Sequence, residues 1–508
     1  MAAIWTMVIV HLLLLLPLLR SSIVFELHGD VYPTGLFYVT MNIGEPAKPY
    51  NLDVDTGSPL TWLECNAPLK STHKGPHEPY RPTRTNLVPC EDERCVAVHR
   101  DLGLAHDCTQ NPHQCDYVLR YKDGESSLGV LLIDQFSLTT NNENRPYLAF
   151  GCGYDQEGGQ EARAGPVEVD GVLGIGRGTG DLVSQLRQQG IITQHIFGHC
   201  LGVRGGGFLF FGGDRVPSAG VTWVPMAQNV RSHYSPGAAT LNLSVQLEYP
   251  VSVEPMPTIF DSGSTYTYVH MDTYARLISA VAVTLESSSL TKAHDDALPE
   301  CWEENELIQS VDNVKNKFKP LEFTFGHGVN QATMEIPPEN YIVVTQNGKV
   351  CLGILNGSQI GLDRLNLIGG NIMQNHIMIY DNERARIGWV RTSCDEMPGL
   401  DGEDWRCGWN AQVKGFSPFY SVARCTFDRR LHLPSLASSG DRERPHAACL
   451  ALSNCLTETS QLHHATLVLS KECIFFFFNE PKEHAICLEC ASLVVAWCHW
   501  DARCKLGV

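Results

Sequence analysis

Hydrophobic positions along this chain come in short clusters, not long blocks. The runs GLFYVTMNIG, YVLRY, GVLLIDQFSL, YLAFGCG, GGGFLFFGG, HIMIYDN and ARIGWV are each rich in Val, Ile, Leu, Phe or Tyr. Gly, Asn or Asp punctuates most of them. Branched and aromatic side chains suit a half-buried pleated strand, and Gly, Asn and Asp close the turns between strands. Helical spacing is scarce, and the better segments are Asp181–Gln189 and Met271–Leu285. The pattern predicts a mainly β protein of two domains with few short helices.

The amino terminus departs from this pattern. Val8–Leu19 is apolar except for His11 and Pro17. It falls short of the ~20 residues that span a bilayer and lacks amphipathic spacing, so residues 1–22 are expected to be a secretory signal peptide. Mature protein is expected from about Phe25, with secretion or vacuolar delivery. No other apolar run reaches spanning length. A net charge of −18 disfavours nucleic acid as a partner. Nineteen cysteines divide as ten before residue 397 and nine after it. The even first set, with no metal-like pairing of Cys and His, points to disulfides and an oxidising compartment.

Candidate chemistry comes from an internal repeat. Asn51–Trp62 reads NLDVDTGSPLTW and Pro257–Tyr268 reads PTIFDSGSTYTY. Each places Asp-(Thr/Ser)-Gly-Ser behind a strand-like run. Each is followed over a hundred residues later by an apolar segment ending in Gly, DGVLGIG at 170–176 and NLIGG at 366–370. Two similar lobes, each giving one carboxylate to a shared cleft, produce this arrangement. Two carboxylates held close cannot both ionise, so the pair shares a proton. The ionised member can then activate water while the protonated member donates to a carbonyl, which hydrolyses an amide without metal or cofactor. Asp55 and Asp261 are the predicted catalytic pair. Gly57 and Gly263 allow close approach, Thr56 and Ser262 are expected to brace the loops, and Ser58 and Ser264 to bond the carboxylates.

DVDTGSPLTWLEC, QCDYVLRYKDGESSLGVL, AFGCGYDQ, DGVLGIGRG, GHCLGVRGGGFLFFGG, FDSGSTYTY, IPPENYIVVT and NLIGGNIMQNHIMIYDNERARIGWV together resemble the pepsin-like aspartic proteases, most closely the plant nucellin-like group. The resemblance runs from about Phe25 to Asp395. It implies a bilobed double β-barrel with the cleft between the lobes, an N-terminal lobe at 25–200 and a C-terminal lobe at 201–395. It implies that Tyr121 is the flap tyrosine, that Trp62 hydrogen-bonds it, and that Gly129 lies on the descending flap strand. Lys122 departs from the Gly common at that position. The implied activity is that of an acid-acting endopeptidase on polypeptides, expected to be monomeric and without a long propeptide. The rival is a binding protein on the same scaffold, as in plant xylanase inhibitors. That scaffold typically loses an Asp, its Gly or the flap tyrosine, and all are present here. A metal-dependent hydrolase lacks support, since no HExxH or comparable cluster occurs.

The cysteines follow the same group with a gap, because Leu69 and Thr72 stand where two further cysteines are usual. Spacing suggests nested Cys90–Cys115 and Cys95–Cys108, with Cys200–Cys394, Cys301–Cys351 and Cys65–Cys152 completing the set. Asn242 and Asn356 open N-glycosylation sequons. Residues 396–508 lie beyond the resemblance. Their nine cysteines, six histidines and FFFF run show no period, and Cys487, Cys490, Cys498 and Cys504 are too irregular for a zinc site. This tail is expected to be an extension without assigned function.

Overall fold

The computed structural model describes residues 23–66, 75–121, 124, 126–138, 145–157, 169–230, 232–243, 251–252, 254–326 and 331–395, with the backbone of short strands between 407 and 506. The expected signal peptide, Leu69, Thr72 and Lys122 lie outside the described residues. Arg20–Pro398 forms one compact unit, and Met1–Leu19 with Gly399–Val508 forms a second. In that second unit the strands Ala465–Leu469, Cys473–Phe478, Ala485–Glu489, Ala496–His499 and Arg503–Leu506 pair in sequence order, each antiparallel to the next.

Within Arg20–Pro398 the structure is mainly β, as the clustered hydrophobic pattern requires. Lys48–Asp55 carries Tyr50, Leu52 and Val54 into the core. It pairs antiparallel with Leu36–Ile43 and parallel with Gly171–Gly174. Gly171–Gly174 pairs antiparallel with Trp62–Glu64, which pairs parallel with Tyr147–Glu157. The second half repeats this order. Met256–Phe260 pairs parallel with Asn366–Ile368, that strand antiparallel with Thr267–Val269, and that in turn parallel with Ile354–Asn356. The duplicated sequence thus yields a duplicated crossing of strands. In both halves the strand leading into Asp-(Thr/Ser)-Gly-Ser lies beside the apolar strand that ends in Gly.

The halves are joined by pairing. Ile23–Asp30, Gly207–Phe211, Ile196–Leu201, His376–Asp381, Arg386–Arg391 and Thr222–Pro225 lie side by side. Strand Ile196–Leu201 runs across the expected boundary at 200/201 and pairs with His376–Asp381 from the far end of the unit. Phe197 stacks on Tyr380 at 4.7 Å beneath this sheet. Dispersion and burial of such large rings fix the base on which both loops stand.

Few helices interrupt the sheets. Leu182–Gln188 is capped by Asp181, which accepts from Val183 N and Ser184 N. Met271–Leu285 buries Leu277, Val281 and Leu285 on one stripe. Glu93–Asp101, capped by Asp92, was not legible as a helix because its apolar stripe is only Cys95 and Val98 with His99.

The helix Glu93–Asp101 also corrects the cysteine pairing. The structure joins Cys90 to Cys108 and Cys95 to Cys115, with Cα–Cα distances of 5.5 and 5.7 Å, in place of the nested pairs. The helix turns Cys95 inward onto Cys115, and both are fully buried. Cys90, in the turn before the helix, then meets Cys108 in the loop after it. The remaining bridges are Cys65–Cys152, Cys200–Cys394 and Cys301–Cys351.

Candidate active site

Each Asp loop leaves its strand at the midline between the two halves. The loops are fastened to one another symmetrically. Thr56 N donates to Ser262 Oγ at 3.1 Å, and Ser262 N donates to Thr56 Oγ1 at 3.0 Å. Thr56 Oγ1 donates onward to the Phe260 carbonyl at 3.3 Å, and Ser262 Oγ to the Val54 carbonyl at 2.6 Å. All four bonds are buried, where an unmet partner is costly, so they hold the loops in register.

This register puts each carboxylate over the other loop's glycine. A Cβ on Gly57 would lie 2.5 Å from the Asp261 carboxyl, and one on Gly263 would lie 2.7 Å from that of Asp55. No side chain fits there, which gives both glycines a steric reason. Asp55 Oδ1 accepts from Gly57 N at 2.6 Å and Ser58 N at 3.2 Å, and Ser58 Oγ donates to Oδ2. Asp261 Oδ1 accepts from Gly263 N at 3.1 Å and Oδ2 from Ser264 Oγ at 3.0 Å.

The two acids are not equivalent. Asp55 is 6% exposed, whereas Asp261 is only part-buried. Burial, and then the neighbouring Asp261 charge, push the Asp55 carboxyl well above the usual carboxylate range, against the opposing bond from Ser58. Burial and a second carboxylate close by both favour the protonated form of the Asp55 side chain.

Tyr121 stands between Asp116–Arg120 and Ser126–Ser137, whose hairpin register pairs Arg120 with Ser126. Trp62 Nε1 donates to Tyr121 Oη at 2.8 Å. Burial above all raises the Tyr121 phenol well above its ordinary range, so it stays neutral. Gly129 lies opposite Tyr117 beside a register shift, where a Cβ would meet the Cys152 carbonyl at 2.1 Å. The structure thus brings together Asp55, Gly57, Ser58, Asp261, Gly263 and Ser264, and joins Trp62 to Tyr121. Asn242 and Asn356 lie elsewhere, on a strand and at the cap of Gly357–Ile360 respectively.

Two neighbours of the loops escaped the sequence reading. His233 Nδ1 donates to the Gly57 carbonyl at 3.0 Å, and Thr265 Oγ1 donates to the Gly35 carbonyl. Gly35 precedes Leu36–Ile43 as His233 precedes Tyr234–Leu243, and each contact crosses to the other half's loop.

Comparisons with known proteins agree with this geometry. The chain matches the families described as Xylanase inhibitor N-terminal over residues 37–213 and Xylanase inhibitor C-terminal over residues 240–391. It is 48% identical over 396 residues to an aspartic proteinase of Oryza sativa subsp. japonica, covering 76% of this chain and 95% of that protein. Its fold is similar to basic 7S globulin from soybean, with a TM-score of 0.56 and 17% identity over 75% of this chain and 100% of the other. An aspartic proteinase from Irpex lacteus matches with a TM-score of 0.52 and 17% identity, over 74% of this chain and 98% of the other.

Proposed function

This chain belongs to the plant pepsin-like aspartic proteases, and from that premise we propose that it is an active endopeptidase that cleaves polypeptides at acid pH. The single observation that carries this reading is the complete, reciprocally packed pair of Asp loops. Each carboxylate is seated over a glycine and bonded by its own serine.

The chemistry follows from the unequal burial of the pair. Water bound between the carboxylates loses a proton to Asp261 as its oxygen attacks the scissile carbonyl carbon. Asp55 gives its proton to the carbonyl oxygen, and the tetrahedral intermediate carries no full charge. On collapse Asp261 gives its proton to the leaving nitrogen as the C–N bond breaks, and one hydroxyl of the intermediate returns a proton to Asp55 as the carbonyl re-forms, which regenerates the shared-proton pair. Tyr121, held by Trp62, closes over the bound chain and orients it. No cofactor takes part in this scheme.

A second reading has support of its own, because the matching families are described as xylanase inhibitors and a fold neighbour is a seed globulin. On that reading the cleft binds a protein without hydrolysing it. The intact dyad favours catalysis. Peptide-library cleavage across pH, with and without pepstatin, decides between the two. Acid-limited, pepstatin-blocked cleavage supports the enzyme. An alkaline optimum with chelator sensitivity contradicts it, and absence of cleavage at every pH favours the binding protein.

The disulfides fit a protein of the secretory pathway, and no helix among the described residues is long and apolar enough to cross a membrane. We assign the amino-terminal apolar run to secretory targeting, with delivery outside the cell or to the vacuole. Asn242 and Asn356 are offered as glycan sites, and a monomer as the working form. The nucellin-like affiliation read from the sequence strings belongs to the same proposal.

A further inference from the structure

His99 and His106 are seven residues apart, a spacing that no common metal motif uses, yet the fold brings their rings together. His99 lies in the last turn of Glu93–Asp101 and is 6% exposed, while His106 is exposed in the following loop. His99 Nε2 donates to the Asp116 carbonyl at 2.8 Å, which leaves its Nδ1 as a lone pair. That lone pair faces His106 Nδ1 at 3.0 Å. Fixing one ring nitrogen on a backbone carbonyl is how proteins orient an imidazole whose other nitrogen ligates a metal. The sulfurs of Cys95, Cys115 and Cys108 surround the outer ring nitrogens at 3.5–3.6 Å. All three are in disulfides, so the imidazoles are the available donors.

We propose that His99 and His106 form a binding site for a divalent d-block cation, copper(II) foremost. The two nitrogens lie 3.0 Å apart, close enough for one ion to take both rings at adjacent positions. Imidazole nitrogens bind Cu²⁺ more tightly than Zn²⁺ among divalent first-row ions, and Cu²⁺ takes them in a tetragonal arrangement. The exposed Asp107 carboxylate, next to His106 in sequence, adds negative charge beside that ring. In the metal-free protein His106 Nδ1–H donates to His99 Nδ1. On binding, that proton passes through solvent to His106 Nε2, and neither ring gains a charge.

The test uses the full chain with disulfides intact in a non-coordinating buffer, titrated with CuCl₂. Calorimetry gives stoichiometry and affinity, and electron paramagnetic resonance gives the nitrogen couplings. The chain has 20 histidines, so the reading is the difference from His106→Ala, an exposed change. The expected result is loss of one equivalent of Cu²⁺, or at least a tenfold weaker affinity for it, together with loss of the two-imidazole couplings. His113→Ala, in the same loop, should change neither, and Zn²⁺ should bind less tightly than Cu²⁺. Circular dichroism checks folding, and His106→Gln replaces the alanine variant if that one unfolds. Unchanged copper binding in the folded His106 variant overturns the proposal. Binding that appears only after the disulfides are reduced also overturns it, because the ligands are then thiolates.

Discussion

At the scale of single residues, the molecule separates acids by what surrounds them. Burial and the neighbouring Asp261 raise the Asp55 carboxyl, and a second buried acid shows the same physics away from the site. Asp181 caps Leu182–Gln188, and burial pushes its carboxyl up to about 7 despite three hydrogen bonds that favour the charged form. A carboxyl raised in the folded state binds more protons there than in the unfolded chain. Its contribution to stability is therefore fully present below about pH 4 and is lost as pH rises through about 7. His199 and His376, buried and pushed down to about 3 and about 4, take up protons only in the unfolded chain as pH falls below about 6.5, so they act in the opposite direction over the same window. Asp181→Asn keeps the cap, removes the titration and leaves both histidines in place. Thermal unfolding of the two proteins from pH 4 to 8 should therefore show the stability of the wild type relative to the variant falling as pH rises, by an amount on the order of a few kcal/mol. A difference that does not change with pH would contradict the assignment.

At the scale of elements, the duplicated crossing of strands and the hairpin carrying Tyr121 are the working parts. The crossing was legible because its needs are local. An apolar strand, an Asp, and a glycine under the opposing carboxylate all leave marks in sequence, and they leave them twice. The contacts that were not legible depend on how elements pack. Cys95 chooses Cys115 because a weakly patterned helix turns it inward. His233 reaches Gly57 only because a strand from the second half starts beside the first loop. His99 and His106 meet only after that helix and its following loop have folded. For the hairpin, Tyr121→Phe removes the acceptor for Trp62 Nε1 while keeping the ring. Losing one such bond is worth ~1 kcal/mol, so kcat/KM should fall roughly fivefold with the pH profile unchanged. Steady-state cleavage of a peptide substrate measures this. A shifted pH profile would mean that the phenol takes part in the proton transfers themselves.

At the scale of the whole molecule, Arg20–Pro398 contains every residue of the candidate site and all five disulfides among the described residues. Its two loops are braced by strands from both halves, so cleavage should require this unit entire and nothing beyond it. A chain ending after Pro398 should fold cooperatively and retain wild-type cleavage. Loss of both properties would show that the carboxyl-terminal unit docks on the catalytic one. The central claim is that the two carboxylates act as one unit on one water, and initial-rate cleavage of an unfolded protein at acid pH tests it most directly. Asp55→Asn and Asp261→Asn preserve shape and the bonds to Ser58 and Ser264, so circular dichroism should be unchanged. Each alone should lower the rate on the order of 10³-fold or more, with the double variant little worse than either, because residues acting together are not additive. A folded single variant that cleaves at close to the wild-type rate would contradict the two-carboxylate account.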